Sequence, residues 1–328
     1  MKVFISTTPF GETDDRPRQL LRDADLDYVI NPLGRKLKED ELASLISDSE
    51  ILIAGTETIS DKVLKKALRL KLICRVGIGL DGVDLWAARR RGVAVAYTPD
   101  APSPAVAELT IGLMITLLRK VHLSDSEVRK GQWNRYFGRR LSQSTVGILG
   151  VGRIGSIVAN HLAALGCKNI LVNDIDKKSL MTLGELHSSV EVCSKERIYK
   201  EADVITIHLP LTKSTKDLIR ANQLMQMKKD AVVINTSRGG IICESDLYSV
   251  MKSGYLGGAG IDVFETEPYM GPLGKLESCI LTAHMGSMSF DCRSRMEIEA
   301  TEDAIRFATG ELIRQGVPEE EFEAQLIK

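Results

Sequence analysis

The chain has 328 residues, 44 % of them hydrophobic, with 43 basic side chains against 44 acidic ones. Domains most often run about 100 to 200 residues, so two domains are expected. The near cancellation of charge leaves no broad field for nucleic acid or an anionic membrane, and a small-molecule partner is expected instead. The opening MKVFISTTPF lacks the apolar stretch of a signal peptide. The most apolar helical stretch, Ala105 to Leu118, is interrupted by Glu108 and falls short of the roughly 20 residues that span a bilayer. The six cysteines form no CxxC pair, which fits reduced, packing cysteines in a cytoplasmic protein and no metal site.

Along the chain, short runs rich in Val and Ile alternate with helical patterns. Strands are expected at MKVFIS, Asp27 to Ile30, Ile51 to Ala54, Leu72 to Val76 and Val93 to Ala96. A later set follows at Thr145 to Leu149, Asn169 to Asn173, Val204 to His208, Ala231 to Asn235, Gly258 to Val263 and Cys279 to Thr282. Runs this continuous suit strands buried on both faces of parallel sheets, and the class is α/β. The later set, with its glycine-rich turn, has about the six or seven strands of a full dinucleotide-binding sheet. Between the sets, the segment from Pro99 to Lys120 predicts a helix that is apolar nearly all round and therefore buried where domains or subunits meet. A second long helix is expected from near Ser289 to about Thr309, and the charged tail PEEEFEAQ is expected to be a solvated end.

The stretch TVGILGVGRIGSIVANHLAALG reads strand, tight turn, helix, with Gly150, Gly152 and Gly155 in GxGxxG spacing. The first glycine permits the turn, the second lets backbone approach a pyrophosphate, and the third lets helix and strand pack closely. The helix N-terminus then meets phosphate with free N–H groups and its dipole. That spacing alone is weak, but Asp174 ends the next strand roughly twenty residues on, where a carboxylate accepts hydrogen bonds from a ribose. Asp174 also points to NAD, because a carboxylate repels the extra phosphate of NADP; Lys177 and Lys178 nearby suit a solvated turn, and Asp176 is the alternative acid.

Hydride transfer at C2 of a hydroxy acid needs a group to exchange the hydroxyl proton and a cation for the carboxylate. Of five histidines, His122, His161 and His187 fall on polar or helical surfaces and are expected to be exposed, and His208 ends a strand where it could line a cofactor cleft. His284, between CILTA and MGS, stands at the carboxyl end of a strand, where open α/β folds bind ligands. Arg238, in INTSRGG, occupies another strand end, and its planar fork matches a carboxylate; a salt bridge to a neighbouring acid is the structural alternative. Glu267, in IDVFETEP, is placed either to hydrogen-bond the histidine or to be an ordinary loop acid.

The segments RVGIGLDGVDL, AVAELTIGLM, GILGVGRIG, HLPLTKSTKDLI, INTSRGGIICESDL, GIDVFETEP and TAHMGS, in this order, resemble the D-isomer-specific 2-hydroxyacid dehydrogenase family over nearly the whole chain. ISTTPFGE and NPLGRKL look most like its phosphoglycerate dehydrogenase branch, in a short form. The resemblance implies two Rossmann-like, doubly wound parallel-sheet domains with a cleft between them. It places a discontinuous substrate-binding, flavodoxin-like domain at 1–98 plus 291–328 and an NAD-binding domain at 99–290. It implies Arg238, Glu267 and His284 as the catalytic trio, with Val76, Gly77 and Ile78 gripping the substrate carboxylate through backbone. It puts Arg153 and Ile154 over the pyrophosphate, Leu209 and Pro210 beside the adenosine, Thr236 and Ser237 along the nicotinamide, and Asp262 near its amide. It also implies a homodimer built around the helix containing Glu108.

Two positions depart from the family pattern: Gly82 replaces a common asparagine in RxGxGxDN, which should loosen a turn, and Asp100 stands where many members have glycine. About fifteen residues follow the last long helix, so feedback through a long-form regulatory domain is not expected. A phosphorylated substrate such as 3-phosphoglycerate, or a phosphono or sulfo analogue, needs further cations, and Arg135, Arg139 and Arg140 in GQWNRYFGRRL are candidates; Glu57 in AGTETIS is unhelpful to a phosphate. The alternatives are a glyoxylate or hydroxypyruvate type of reductase, a non-catalytic NADH-sensing protein like the corepressors that share this fold, and a formate- or phosphite-type dehydrogenase, against which Glu267 and TAHMGS argue.

Overall fold

The structure, a computed structural model, describes residues 1–326. The chain divides into two compact units, one made of Met1–Pro102 with the stretch from Ser287 onward, the other of Ser103–Gly286. Each is an α/β unit built on a wholly parallel sheet.

The first unit runs β1 (Lys2–Ile5), α1 (Arg16–Asp23), β2 (Asp27–Ile30), α2 (Glu39–Leu45), β3 (Ile51–Ala54), α3 (Asp61–Lys66), β4 (Leu72–Arg75), α4 (Leu85–Arg90) and β5 (Ala94–Tyr97). Its sheet has the order β2-β1-β3-β4-β5, the flavodoxin-like arrangement. Side chains alternate between two apolar layers: Phe4, Leu52 and Ile73 face α2 to α4, whereas Ile5, Ile53 and Cys74 join a layer with Leu21. This second layer needs a lid from elsewhere in the chain.

The second unit begins with α5 (Ser103–Leu118) and α6 (Val121–Arg129) and continues β6 (Thr145–Leu149), α7 (Arg153–Ala164), β7 (Asn169–Asn173), α8 (Lys177–Leu186), β8 (Val190–Val192), α9 (Lys195–Glu201) and β9 (Val204–Ile207). It ends with α10 (Ala221–Gln226), β10 (Val232–Asn235), α11 (Glu244–Lys252), β11 (Gly258–Ile261) and β12 (Cys279–Leu281). The order β12-β11-β10-β9-β6-β7-β8 reverses direction between β6 and β9, which is where doubly wound sheets bind ligands. One face of α5 is buried, with Ala107, Ile111, Met114 and Leu118 packed on Val146, Ile234 and neighbouring strand residues, while Glu108, Gly112 and Ile115 are exposed. The edge strand β8, VEV, escaped the sequence reading because three partly exposed residues make no pattern.

The chain then returns to the first unit as α12 (Phe290–Ala308), capped by the Ser289 hydroxyl, which accepts from Cys292 N–H, and as α13 (Glu319–Leu326). Met296, Ala300 and Ala304 of α12 close the open layer on the sheet. The charged tail is not the solvated end expected: α13 is docked. Phe322 is 7 % exposed within the core, the Trp86 indole donates to its carbonyl at 2.9 Å, and Arg89 meets Glu319 bidentately at 2.8 and 2.7 Å. One aromatic residue in an acidic segment was enough to anchor it, because Trp86 offers an edge-to-face partner at 5.8 Å. Among the described residues no helix is long and apolar enough to cross a membrane.

Candidate active site

At the switch point of the second unit, β6 runs into the glycine turn. Gly150 has φ +95°, and a Cβ there would lie 2.4 Å from the carbonyl oxygen of His208. A Cβ on Gly155 would lie 2.0 Å from the Gly150 oxygen, so neither position accepts a side chain. Above Gly152 the space is open, and α7 starts there with Arg153 and Ile154 in its first turn. Backbone can therefore approach a pyrophosphate at the helix N-terminus, which is the fit a dinucleotide requires.

Asp174 follows β7 and holds this turn, since its carboxylate accepts from Val151 N–H at 2.6 Å and from Asp176 N–H at 2.8 Å. The rival acid Asp176 is consumed as the cap of α8, accepting from Lys178 N–H at 3.0 Å and the Ser179 hydroxyl at 2.6 Å. Leu209 and Pro210 continue from His208 in the loop after β9. The His208 ring pairs through Nε2 with the Thr206 hydroxyl at 3.0 Å, while its buried Nδ1 has no protein partner. Burial pushes its pKa down to about 3, so this ring is neutral at ordinary pH and is a poor proton carrier.

The three chemical residues come from loops after three adjacent strands. After β10, Asn235 shapes the turn: its Oδ1 accepts from Ser237 N–H and Oγ at 3.1 and 2.8 Å, and its Nδ2 donates to the Arg238 carbonyl at 2.8 Å. Thr236 shares a 2.8 Å hydroxyl bond with Thr110 of α5, and Arg238 Nη1 donates to the Ser237 carbonyl at 2.6 Å. Gly239 then passes so close to the loop after β11 that a Cβ would sit 2.0 Å from the Phe264 carbonyl carbon. Arg238 and the loop bearing Glu267 are thus braced backbone to backbone.

Asp262, next after β11, is 1 % exposed and takes hold of the histidine loop. Its Oδ1 accepts from the Thr282 hydroxyl at 2.6 Å and Met285 N–H at 2.9 Å, its Oδ2 from Gly286 N–H at 2.9 Å, and its carbonyl from His284 N–H at 2.8 Å. This grip holds His284 at φ +50°, a conformation side chains of L-residues rarely adopt. There the imidazole Nδ1 stands 2.9 and 3.0 Å from the two oxygens of Glu267. Of the two placements left open for Glu267, the one beside histidine is observed. With Nδ1 donating to the carboxylate, Nε2 is the ring nitrogen left able to exchange a proton, and the side chain is 38 % exposed.

Other expectations need correction. His122, His161 and His187 are half-buried rather than exposed, and His187 Nε2 bonds Asn160 at 2.7 Å. Arg139 lies at the amino end of the sheet, pairing with Asp203 at 3.0 Å and donating to the Asp230 carbonyl at 2.6 Å, whereas Arg238, Glu267 and His284 lie at the carboxyl end. It is spent on holding β6, β9 and β10 in place; Arg135 and Arg140 are exposed.

In the first unit, Val76, Gly77 and Ile78 form the loop after β4, but Val76 N–H donates to the Ala54 carbonyl at 2.9 Å and Gly77 N–H to the Thr98 hydroxyl at 2.7 Å. A substrate carboxylate at Gly77 would have to displace Thr98. Gly82 does not loosen its turn: its carbonyl accepts from Ile59 N–H at 2.7 Å, and a Cβ would press on the Glu57 carbonyl at 3.0 Å. Glu57 itself is 3 % exposed, bonded by the Ser6 hydroxyl and by Gly55 N–H at 2.9 Å. Sequence reasoning missed the supporting residues Asn235, Thr110, Thr282 and Glu244, which carry no motif of their own.

A switch-point glycine turn with its strand-end acid, in the same unit as a carboxylate-held histidine, defines the class of dinucleotide-dependent oxidoreductases. Residues 111–286 match the D-isomer specific 2-hydroxyacid dehydrogenase, NAD binding domain. The chain belongs to that family, and this stretch is its NAD-binding domain. It is 37 % identical to D-3-phosphoglycerate dehydrogenase of Methanocaldococcus jannaschii over 84 % of this chain, and spans about half, 53 %, of that relative's length. It is 34 % identical to hydroxypyruvate reductase of Thermotoga maritima over 81 % of this chain and 87 % of the relative. D-lactate dehydrogenase from Aquifex aeolicus, solved with NAD and lactic acid, superposes with a TM-score of 0.83 at 27 % identity, covering 97 % of this chain and 99 % of its own.

Proposed function

We propose that the protein is an NAD-dependent oxidoreductase interconverting a D-2-hydroxy acid and its 2-keto acid. The observation that carries this is the Glu267–His284 contact at the carboxyl end of the same sheet whose switch point holds the glycine turn. The turn Gly150–Gly155, Asp174 and the loops at Leu209 and Thr236 would hold NAD, which would supply or accept the hydride. His284 Nε2 takes the C2 hydroxyl proton in oxidation and returns it to the carbonyl oxygen in reduction. Glu267 fixes the ring's tautomer and orientation. Arg238 pairs with the substrate carboxylate and polarises the adjoining carbonyl. Backbone at Val76 to Ile78 is proposed as the further grip on that carboxylate.

The substrate class remains that of the family: a small 2-keto acid of the glyoxylate or hydroxypyruvate kind, or 3-phosphoglycerate and its phosphono or sulfo analogues. Committed Arg139 favours the unphosphorylated acids. A homodimer and a cytoplasmic, reducing location complete the reading, the latter supported by six free cysteines.

The test is NADH oxidation with a panel of 2-keto acids, phosphohydroxypyruvate included, run in parallel with NADPH. Turnover abolished by His284→Ala supports the enzyme. Tight NADH binding without turnover on any acid would overturn it in favour of a nucleotide sensor.

A further inference from the structure

The loop from Phe264 to Glu267 is held on several sides, and one hold has no place in the proton chemistry. Glu244, the first residue of α11, directs Oε1 at the backbone N–H of Glu265, 2.6 Å away. The same loop is pressed by Gly239, stacked through Phe264 on Tyr269 at 4.1 Å, and closed on itself by Phe264 N–H donating to Glu267 Oε1 at 3.2 Å. Glu267, two residues beyond the peptide that Glu244 grips, meets His284.

The position of Glu244 is unfavourable for a mere surface acid. Burial, followed by the charges of Glu265 and Glu267, raises its pKa above the usual carboxylate value. An acid in a first helical turn benefits from the helix dipole, but that benefit is equally available facing water. Here the carboxylate is turned toward two other acids, and what it gains there is the charge-assisted bond to Glu265 N–H.

We propose that Glu244 is a positioning residue, which through Glu265 N–H holds the 264–267 loop so that the Glu267 carboxylate aims at His284 Nδ1. The inference rests on the dehydrogenase reading. Because the hold acts through an acceptor oxygen at a set reach, it depends on side-chain length more than on charge.

Three variants separate the possibilities, read as kcat at saturating keto acid and NADH. Glu244→Gln keeps an acceptor at the same reach and should stay within about threefold of the parent. Glu244→Asp keeps the charge and the dipole benefit but falls one methylene short, and kcat should drop roughly ten- to a hundredfold with the KM for NADH unchanged. Glu244→Ala should match Glu244→Asp, and in a Glu267→Ala background it should cost nothing further. If Glu244→Ala does not fold, the Asp and Gln pair carries the comparison, with Glu244→Asp placed in the Glu267→Ala background. An active Glu244→Asp beside an inactive Glu244→Gln would overturn the proposal, as would losses that add in full to that of Glu267→Ala. NADH binding by the parent without turnover of any keto acid would instead overturn the dehydrogenase reading itself.

Discussion

The carboxylate of Asp262 and the backbone N–H of Gly286 lie 2.9 Å apart, the last of several bonds that bind the end of β11 to the loop after β12. Replacing the acid by Asn points an amide N–H₂ at a backbone N–H. A buried donor left unpaired costs about 1–3 kcal/mol. Asp262→Asn should therefore lower the Tm and, by relaxing the left-handed conformation of His284, reduce kcat at least tenfold. Unchanged values of both would show that the loop holds its shape without Asp262.

Asp174 holds the shape of the glycine turn through its 2.6 Å bond from Val151 N–H, and in the proposed function it also sets cofactor preference. Asp174→Ser removes the charge that repels a ribose phosphate. The ratio of kcat/KM for NADH over NADPH should fall at least tenfold, and steady-state kinetics with both cofactors measures it. A parent enzyme using NADPH as well as NADH would already defeat this account of Asp174.

Arg293 and Glu297 form a buried pair on α12, 2.6 Å apart and 9 % and 1 % exposed in their side chains. Arg293 also bonds the Thr7 hydroxyl at 2.9 Å and the Pro9 carbonyl, and Glu297 accepts from Gly11 N–H at 2.8 Å, so the pair clasps the loop after β1. Burial pushes the Glu297 pKa up, and the Gly11 N–H and the arginine offset part of this. Arg293→Met, which strands the acid, should destabilise by about 3–5 kcal/mol. Chemical denaturation should show Arg293→Met with Glu297→Leu recovering part of that loss; a double variant worse than the sum of the singles would contradict it.

His208 adds a pH dependence whose sign follows from its depressed pKa of about 3. The unfolded chain binds this proton first, near the ordinary value of about 6.5, so the contribution to stability is full above that pH and is lost as pH falls toward 3. Between pH 7 and 4.5 the loss attributable to this group is about 2 to 3 kcal/mol. Urea midpoints at the two pH values should converge more for His208→Gln than for the parent. Equal pH slopes would mean the ring is not desolvated as described.

Much of this architecture was legible in the order of the residues. Parallel strands buried on both faces demand unbroken apolar runs, and Ile51–Ala54 and Asn169–Asn173 stand where those runs placed them. The glycine turn was legible for a steric reason, since Gly150 and Gly155 have backbone oxygen where a Cβ would be. What stayed hidden was set by contacts between distant segments. Phe322 reads as one apolar residue among acids until Trp86 and Arg89 are brought to it. Arg139 reads as a spare cation until Asp203 and Asp230 occupy it.

The sequence by itself determined the α/β class and the dinucleotide turn, because steric exclusion and burial pattern are local properties, and it offered Arg238, Glu267 and His284 as candidates through strand-end placement and family resemblance. Only the tertiary structure decided how the trio is held: Asp262 fixing His284, Gly239 and Glu244 bracing the loop of Glu267, and Asn235 shaping the turn of Arg238. These residues act through backbone N–H and carbonyl groups on other strands. A backbone group looks the same at every position in a sequence, so its partner appears only when the fold brings the two together.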